Sequence, residues 1–268
     1  MKRHLYFYLF ILIFLLACGS VPELSPTITP TTKPTFTPLP AKTATPVPTA
    51  TPNIIKTKIA QATNTSSEVL SELDGLLGDS DIPYKEGYLA WQYNESIKVS
   101  LTGPEQKLQG IDEKLIGSNF ILKSDVTWSA TGIIFCGAVF RSEEDLSLGK
   151  QYQFVFLRLS GLPAWSIDVY EFGQFKNSPT KTQFSSSLHQ ENGATNQFLL
   201  VAQDEQFTLY INRVRQGRYF DNSNQRSDGS FAFFAFQDSG KGSCEFENSW
   251  VWSLEPPPPG GGVIGLLR

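Results

Sequence analysis

Asp168 and Glu171, in the run Trp165-Ser-Ile-Asp-Val-Tyr-Glu171, are the first carboxylates whose spacing invites chemistry. Retaining glycoside hydrolysis needs two carboxylates on one face, about 5 Å apart. Three residues apart on a strand, these two point to opposite faces. Glu143-Glu144-Asp145 reads as a loop. Glu245 and Glu247 share a face but alternate with Cys244 and Phe246, so they read as the solvated side of a strand. Histidine chemistry has little to work with: of the two histidines, His4 lies in the apolar leader and His189 in the polar run Ser185-Ser-Ser-Leu-His189. A Ser-His-Asp triad or a zinc centre needs more than that. Gly260-Gly-Gly262 has no strand before it and no helix after it, so it is not a phosphate loop. No catalytic residue is assigned and no cofactor is expected. A structural calcium is the one ion with ligands to draw on, namely Asp79, Asp81 and Asp125 from separate segments.

Binding chemistry has more material, because the chain carries 20 Phe, 9 Tyr and 5 Trp. An exposed aromatic face can stack on a sugar ring while Arg, Asn or Asp bonds its hydroxyls. Trp128, Trp250 and Trp252 sit in strong strand patterns and read as core. Trp165, just after the turn Gly161-Leu-Pro163, is instead grouped with Tyr170, Arg141 and Arg158 as a ligand-binding face. Two arginines inside strands are costly unless paired or solvated, and an open groove would solvate them. The competing reading is an outer face whose arginines snorkel to water.

Three cysteines remain to be placed. Cys18 closes the leader, as described below, which leaves Cys136 and Cys244 in the folded part. In an exported chain a spare pair is expected to form a disulfide, the alternative being two buried thiols. With 107 residues between the two cysteines, a bridge closing that loop is worth about 4 to 5 kcal/mol in the chain-entropy model.

The elements that must hold these residues follow in order. Residues 1–18 form a secretion signal: Lys2-Arg3, then an unbroken apolar run from Leu5 to Ala17, too short to span a bilayer comfortably. It ends in Leu15-Leu16-Ala17-Cys18-Gly19, which resembles the bacterial lipobox, whose cysteine takes a diacylglycerol thioether. The alternative is an ordinary signal peptide that happens to carry a cysteine. Residues 19–53 are a Thr/Pro stalk, with nine Pro and ten Thr between Pro22 and Pro52, too poor in apolar side chains to collapse. Residues 54–80 are a linker with a short helix: Val69, Leu70, Leu73, Leu76 and Leu77 fall at helical spacing, Thr65-Ser66-Ser67-Glu68 has the form of a capping box, and Gly78 stops it. It is expected to end the linker or to lid one edge of the domain.

The folded domain is 81–255. Its apolar runs are Tyr88–Tyr93, Ile97–Leu101, Phe120–Trp128, Gly132–Arg141, Tyr152–Leu159, Trp165–Phe172, Phe198–Ala202, Phe207–Ile211, Phe231–Phe236 and Phe246–Leu254, each bounded by Gly, Pro, Asn or a polar cluster. Ten or eleven short strands without a helical period predict an all-β fold of two antiparallel sheets packed face to face. Residues 256–268 are a Pro/Gly tail.

Several pieces in this order carry a resemblance: Phe120-x-Leu-x-x-Asp-Val-x-Trp128, Gly137-x-Val-Phe-Arg141, Tyr152-x-Phe-x-Phe156, Phe207-x-Leu-x-Ile-Asn212, Gly229-x-Phe-x-Phe233 and Cys244-x-Phe-x-Asn-x-Trp-x-Trp252. Asp81 to Leu254 resembles the concanavalin A-like, or laminin-G-like, jelly rolls of bacterial exported proteins, including the domain named for 3-keto-disaccharide hydrolases. In that family the Asn of the fourth piece is usually followed by Gly in a tight hairpin, where Arg213 stands here.

The formal net charge is −4, and loss of Lys2 and Arg3 with the signal leaves 20 basic residues against 26 acidic. That balance argues against nucleic acid as a partner. The expectation is a monomeric, extracytoplasmic lipoprotein, held to the membrane by lipid on Cys18, displaying a β-sandwich that binds carbohydrate. A glycoside hydrolase, implied by the family name alone, and a purely structural envelope domain are the competing classes.

Overall fold

The computed structural model describes residues 54–159, 162–222 and 225–257, without the side chains of residues 54–60, 158 and 159. The signal, Cys18, the stalk and all but the first two residues of the tail lie outside the described residues.

Alternating apolar runs pair into two antiparallel sheets, as the sequence predicts. Sheet A runs β1 (Tyr88–Tyr93), β14 (Lys241–Ser253), β4 (Phe120–Ala130), β10 (Thr195–Gln203), β11 (Gln206–Ile211) and β12 (Val214–Phe220), with β2 (Ile97–Thr102) also on β14. Sheet B runs β3 (Glu105–Gly110), β13 (Ser230–Gln237), β5 (Ile134–Ser142), β6 (Gln151–Leu159), β7 (Leu162–Glu171) and β8 (Gln174–Asn177), with β9 (Gln183–Phe184) also on β7. Their inner faces close over one core in which Phe120, Trp128, Phe154, Phe156, Phe198 and Phe233 are fully buried. The Cys136–Cys244 disulfide crosses that core from β5 to β14, with Cα atoms 5.8 Å apart.

The strands that the apolar runs do not announce are β3, β8, β9 and β12. Each stands at or beside a sheet edge and is largely exposed. With little of either face buried, such a strand has no reason to alternate apolar with polar.

Helix α1 (Ile54–Leu77) differs from its expected role. It begins well before Thr65, so the predicted capping box lies inside it, and it ends where the Gly78 N–H bonds the Asp74 carbonyl. It lies on the outer face of sheet A, where Val69, Leu73 and Leu77 pack with Ile121, Leu199 and Trp252. It is therefore a cover on a sheet face rather than a lid on an edge. Val69, Leu73 and Leu77 sit at the i, i+4, i+8 spacing that makes one apolar stripe.

The tryptophans of β14 are buried, but not where the sequence puts them. Asn248 adopts φ 49° at a register shift between Glu247 and Trp250, a bulge that reverses the alternation of the strand. Before it Cys244 and Phe246 face the sandwich core. After it Val251 does, while Trp250 and Trp252 turn to the helix side. There the Trp250 indole N–H donates to Glu72 Oε2 (3.2 Å) and that of Trp252 to the Tyr84 carbonyl (2.9 Å).

Asn212 and Arg213, at φ 48° and 69°, make the β11–β12 turn. Both are left-handed, the geometry of a type I′ hairpin, and Arg213 adopts it without glycine's freedom.

Candidate functional site

Among the described residues no helix packs on the outer face of sheet B. Its register can be read across five strands: Leu108, Phe234, Gly137, Val155 and Ser166 form one row. Gly137 is required there, since a Cβ would come within 2.6 Å of the Phe234 ring. Without one, that ring settles over the middle of the sheet. A cavity of about 330 Å³ opens on this face. Phe135, Val155, Leu157, Phe234 and Phe236 supply its apolar lining, and Gln106, Gln153, Ser166, Asp168, Tyr170 and Thr182 its polar lining.

Alternation along β6 and β7 places the polar group. Tyr152, Phe154 and Phe156 point into the core while Gln153 points out, and Trp165, Ile167 and Val169 point in while Ser166, Asp168 and Tyr170 point out. Gln153 and Asp168 are direct partners across the strand pair, and Gln151 partners Tyr170. Residues 178–182 are held against β7 by side chains that imitate a strand: the Ile167 N–H donates to Thr180 Oγ1 (2.8 Å) and Ser178 Oγ donates to the Ile167 carbonyl (3.0 Å). Thr182 is thereby brought to the rim.

Two features of this cavity are costly for folding. Gln153 is 1 % exposed and its Nε2 has no hydrogen-bond partner among the described residues. An orphaned buried amide donor costs about 1–3 kcal/mol. Asp168 is the second: burial pushes its carboxyl up from the ordinary value, against the lowering effect of the nearby Ser178 hydroxyl and of the hydrogen bond that Ser166 Oγ donates (3.0 Å). Burial raises the Tyr170 phenol too, with the Asp168 charge adding to it. The arrangement offers an unused donor, a carboxylate acceptor and flat apolar surface around one cavity, which is the composition of a small-molecule site.

The four residues grouped from the sequence do not share this face. Tyr170 is at the cavity. Trp165 is 1 % exposed and lies on the core side, edge-on to Tyr219 at 5.3 Å, because it is five residues from Tyr170 and so on the opposite face of β7. Arg141 is 1 % exposed and is solvated by no groove. Its guanidinium donates to the carbonyls of Ser118 (2.6 and 3.0 Å), Asp204 (2.7 Å) and Arg226 (3.4 Å), tying three loops together, and burial lowers its pKa. The Arg158 side chain lies outside the described residues. What the sequence reading missed is Gln153 and the Phe234–Phe236 pair, while Asp168 was weighed only as half of a catalytic pair with Glu171 and not as a binding residue. The signals were parity for Gln153 and Asp168 and, for β13, apolar residues on both parities of Ser230–Gln237.

Several of the remaining polar candidates are paired within the protein. Glu245 pairs with Lys98 (3.1 Å) and Glu143 with Arg226 (3.1 Å). Asp81 is bound to Arg218, and Asp125 to Lys123, Gln197 and Asn248. Asp79, Asp81 and Asp125 do not converge: among the described residues no three metal-ligating side chains gather into a cluster.

The class defined by this architecture is the antiparallel β-sandwich of two seven-stranded sheets. No family model and no curated protein matches the sequence. Similar solved structures include a carbohydrate-binding module from Bacillus subtilis, 16% identical over 58% of this chain and 95% of its own, with a TM-score of 0.41. Others are a Bacillus licheniformis β-glucanase (8%, 59% and 78%, TM-score 0.43) and sheep galectin-11 (8%, 56% and 98%, TM-score 0.37).

Proposed function

We propose that this chain is a non-catalytic sugar-binding module, carried outside the cytoplasm on a stalk anchored by lipid at Cys18. The observation that carries the binding half is the cavity on sheet B, where the buried Gln153 amide lacks a partner beside the Asp168 carboxylate. A pyranose matches such a surface, with an apolar C–H face for Tyr170 and Phe236 and hydroxyls for the amide and the carboxylate. Non-catalytic binding is favoured over hydrolysis because Asp168 is the one carboxylate among the described lining residues, and two-carboxylate hydrolysis needs a second. Anchoring rests on the leader and on Cys18.

A glycan array probed with the wild-type chain and with Tyr170→Ala and Gln153→Met tests the binding half. Binding of at least one glycan, lost in both variants while Trp165→Phe retains it, is expected. A uniformly blank array would overturn the proposal, and release of reducing sugar from a bound polysaccharide would replace it with a hydrolase. For the anchor, palmitate should label the wild type and not Cys18→Ser.

A further inference from the structure

Resting on the sugar reading and deepening it, we infer that the sheet B cavity selects neutral sugars against acidic ones and that Asp168 sets this preference. Among the described residues, the lining contains a carboxylate and no lysine or arginine. The polar groups that act on Asp168 are the neutral hydroxyls of Ser166, which donates to it, and of nearby Ser178, and no cation offsets its charge among the described residues. Cations on the neighbouring strands have carboxylates of their own: Lys107 is 3.2 Å from Glu105, Lys98 is 3.1 Å from Glu245, and Lys176 is 3.7 Å from Glu171. Lys181, beside Thr182, is exposed and has no carboxylate partner among the described residues, but it is not among the residues that line the cavity.

The chemistry of the opposed pair points the same way. Gln153 Nε2 needs an acceptor and the Asp168 carboxylate accepts donors, and the two residues face each other across β6 and β7. Adjacent ring hydroxyls meet both demands at once, one oxygen accepting from the amide and the neighbouring hydroxyl donating to the carboxylate. A uronate or sialate carboxylate could accept from Gln153. It has no proton to offer Asp168, and it would bring a second negative charge into a partly desolvated cavity, where like charges are costly.

Affinity measurements on the full-length protein test this with matched probes: galactan and cello-oligosaccharides against oligogalacturonates and oligoglucuronates of equal length. A neutral probe is expected to bind at least about tenfold tighter than its acidic counterpart, the scale of one unfavourable charge contact. Asp168→Asn should close that gap, and Thr182→Lys, which adds a cation at the rim without touching Asp168, should narrow it independently. Acidic probes binding as well as neutral ones to the wild type would overturn the inference while leaving sugar binding intact. So would a ratio unchanged in both variants. An amino sugar binding tighter than its neutral counterpart would also overturn it, by recasting Asp168 as an ammonium partner. Failure of every probe to bind would instead strike the sugar reading itself.

Discussion

The outer faces of the two sheets meet opposite fates. That of sheet A is covered: α1 lays Val69, Leu73 and Leu77 over it, and the indole tips beneath are met, Trp250 by Glu72 and Trp252 by a carbonyl, although the buried Thr208 hydroxyl on the same face has no partner among the described residues. That of sheet B keeps a cavity, and there Gln153 is left without a partner and Asp168 without a cation. Arg141 makes the contrast sharper, since it belongs to sheet B and is as buried as Gln153, yet it donates to three loop carbonyls. Burial alone therefore does not mark a site in this protein. Nor does an unsatisfied polar group alone, since Thr208, Arg218 and Gln237 each keep one away from the cavity; the mark is the unsatisfied Gln153 donor placed beside an acceptor in an open cavity, where something outside the chain can complete it.

Substitutions should sort accordingly. The largest effect is expected at Arg141: Arg141→Ala would strand carbonyls of three loops and cost about 3 to 5 kcal/mol by urea denaturation. A cost below about 1 kcal/mol would remove the distinction between the saturated and unsaturated groups. On the covered face, Leu73→Ala should cost about 2 to 3 kcal/mol through the cavity it leaves under α1, and hydrogen exchange should show β1 and β14 losing protection with it. The opposite sign is expected on the open face. Gln153→Met keeps the volume and deletes the orphaned donor, so it should stabilise the fold by about 1 kcal/mol while abolishing ligand binding. A loss of stability would mean that the amide is satisfied after all.

The smallest effect belongs to Asp168 and depends on pH. Folding holds its carboxyl above the ordinary value, so the folded state takes up the proton more readily than the unfolded state. The favourable contribution is complete below the unfolded value of about 3.9 and is lost as pH rises through the raised folded value. Asp168→Asn should thus melt higher than the wild type at pH 7, and the difference should fade as pH falls below the ordinary Asp range. A difference that stays constant with pH would separate the effect from ionisation.

Parity made part of this site legible. Ser166, Asp168 and Tyr170 alternate with Trp165, Ile167 and Val169, so the sequence already excludes Trp165 from the face that holds Tyr170. Gln153 alternates with Tyr152 and Phe154 in the same way. Parity is silent on which side of a strand is covered. In β13 it is blank as well, because Phe231 and Phe233 face the core and Phe234 and Phe236 face outward.

The sequence by itself determined the central strands, the stripe of α1 and the disulfide partners, since each depends on short-range periodicity or on which cysteines remain. Tertiary structure alone decided the edge strands, which alternate in nothing, and the reversal at Asn248, which sends Trp250 and Trp252 to the helix side. It also decided that Arg141 is saturated and Gln153 is not. Hydrogen-bond satisfaction is a property of groups brought together from distant parts of the chain: Ser118, Asp204 and Arg226 around Arg141, and the opposed strands β6 and β7 around Gln153. No local pattern encodes which of those meetings leaves a donor over.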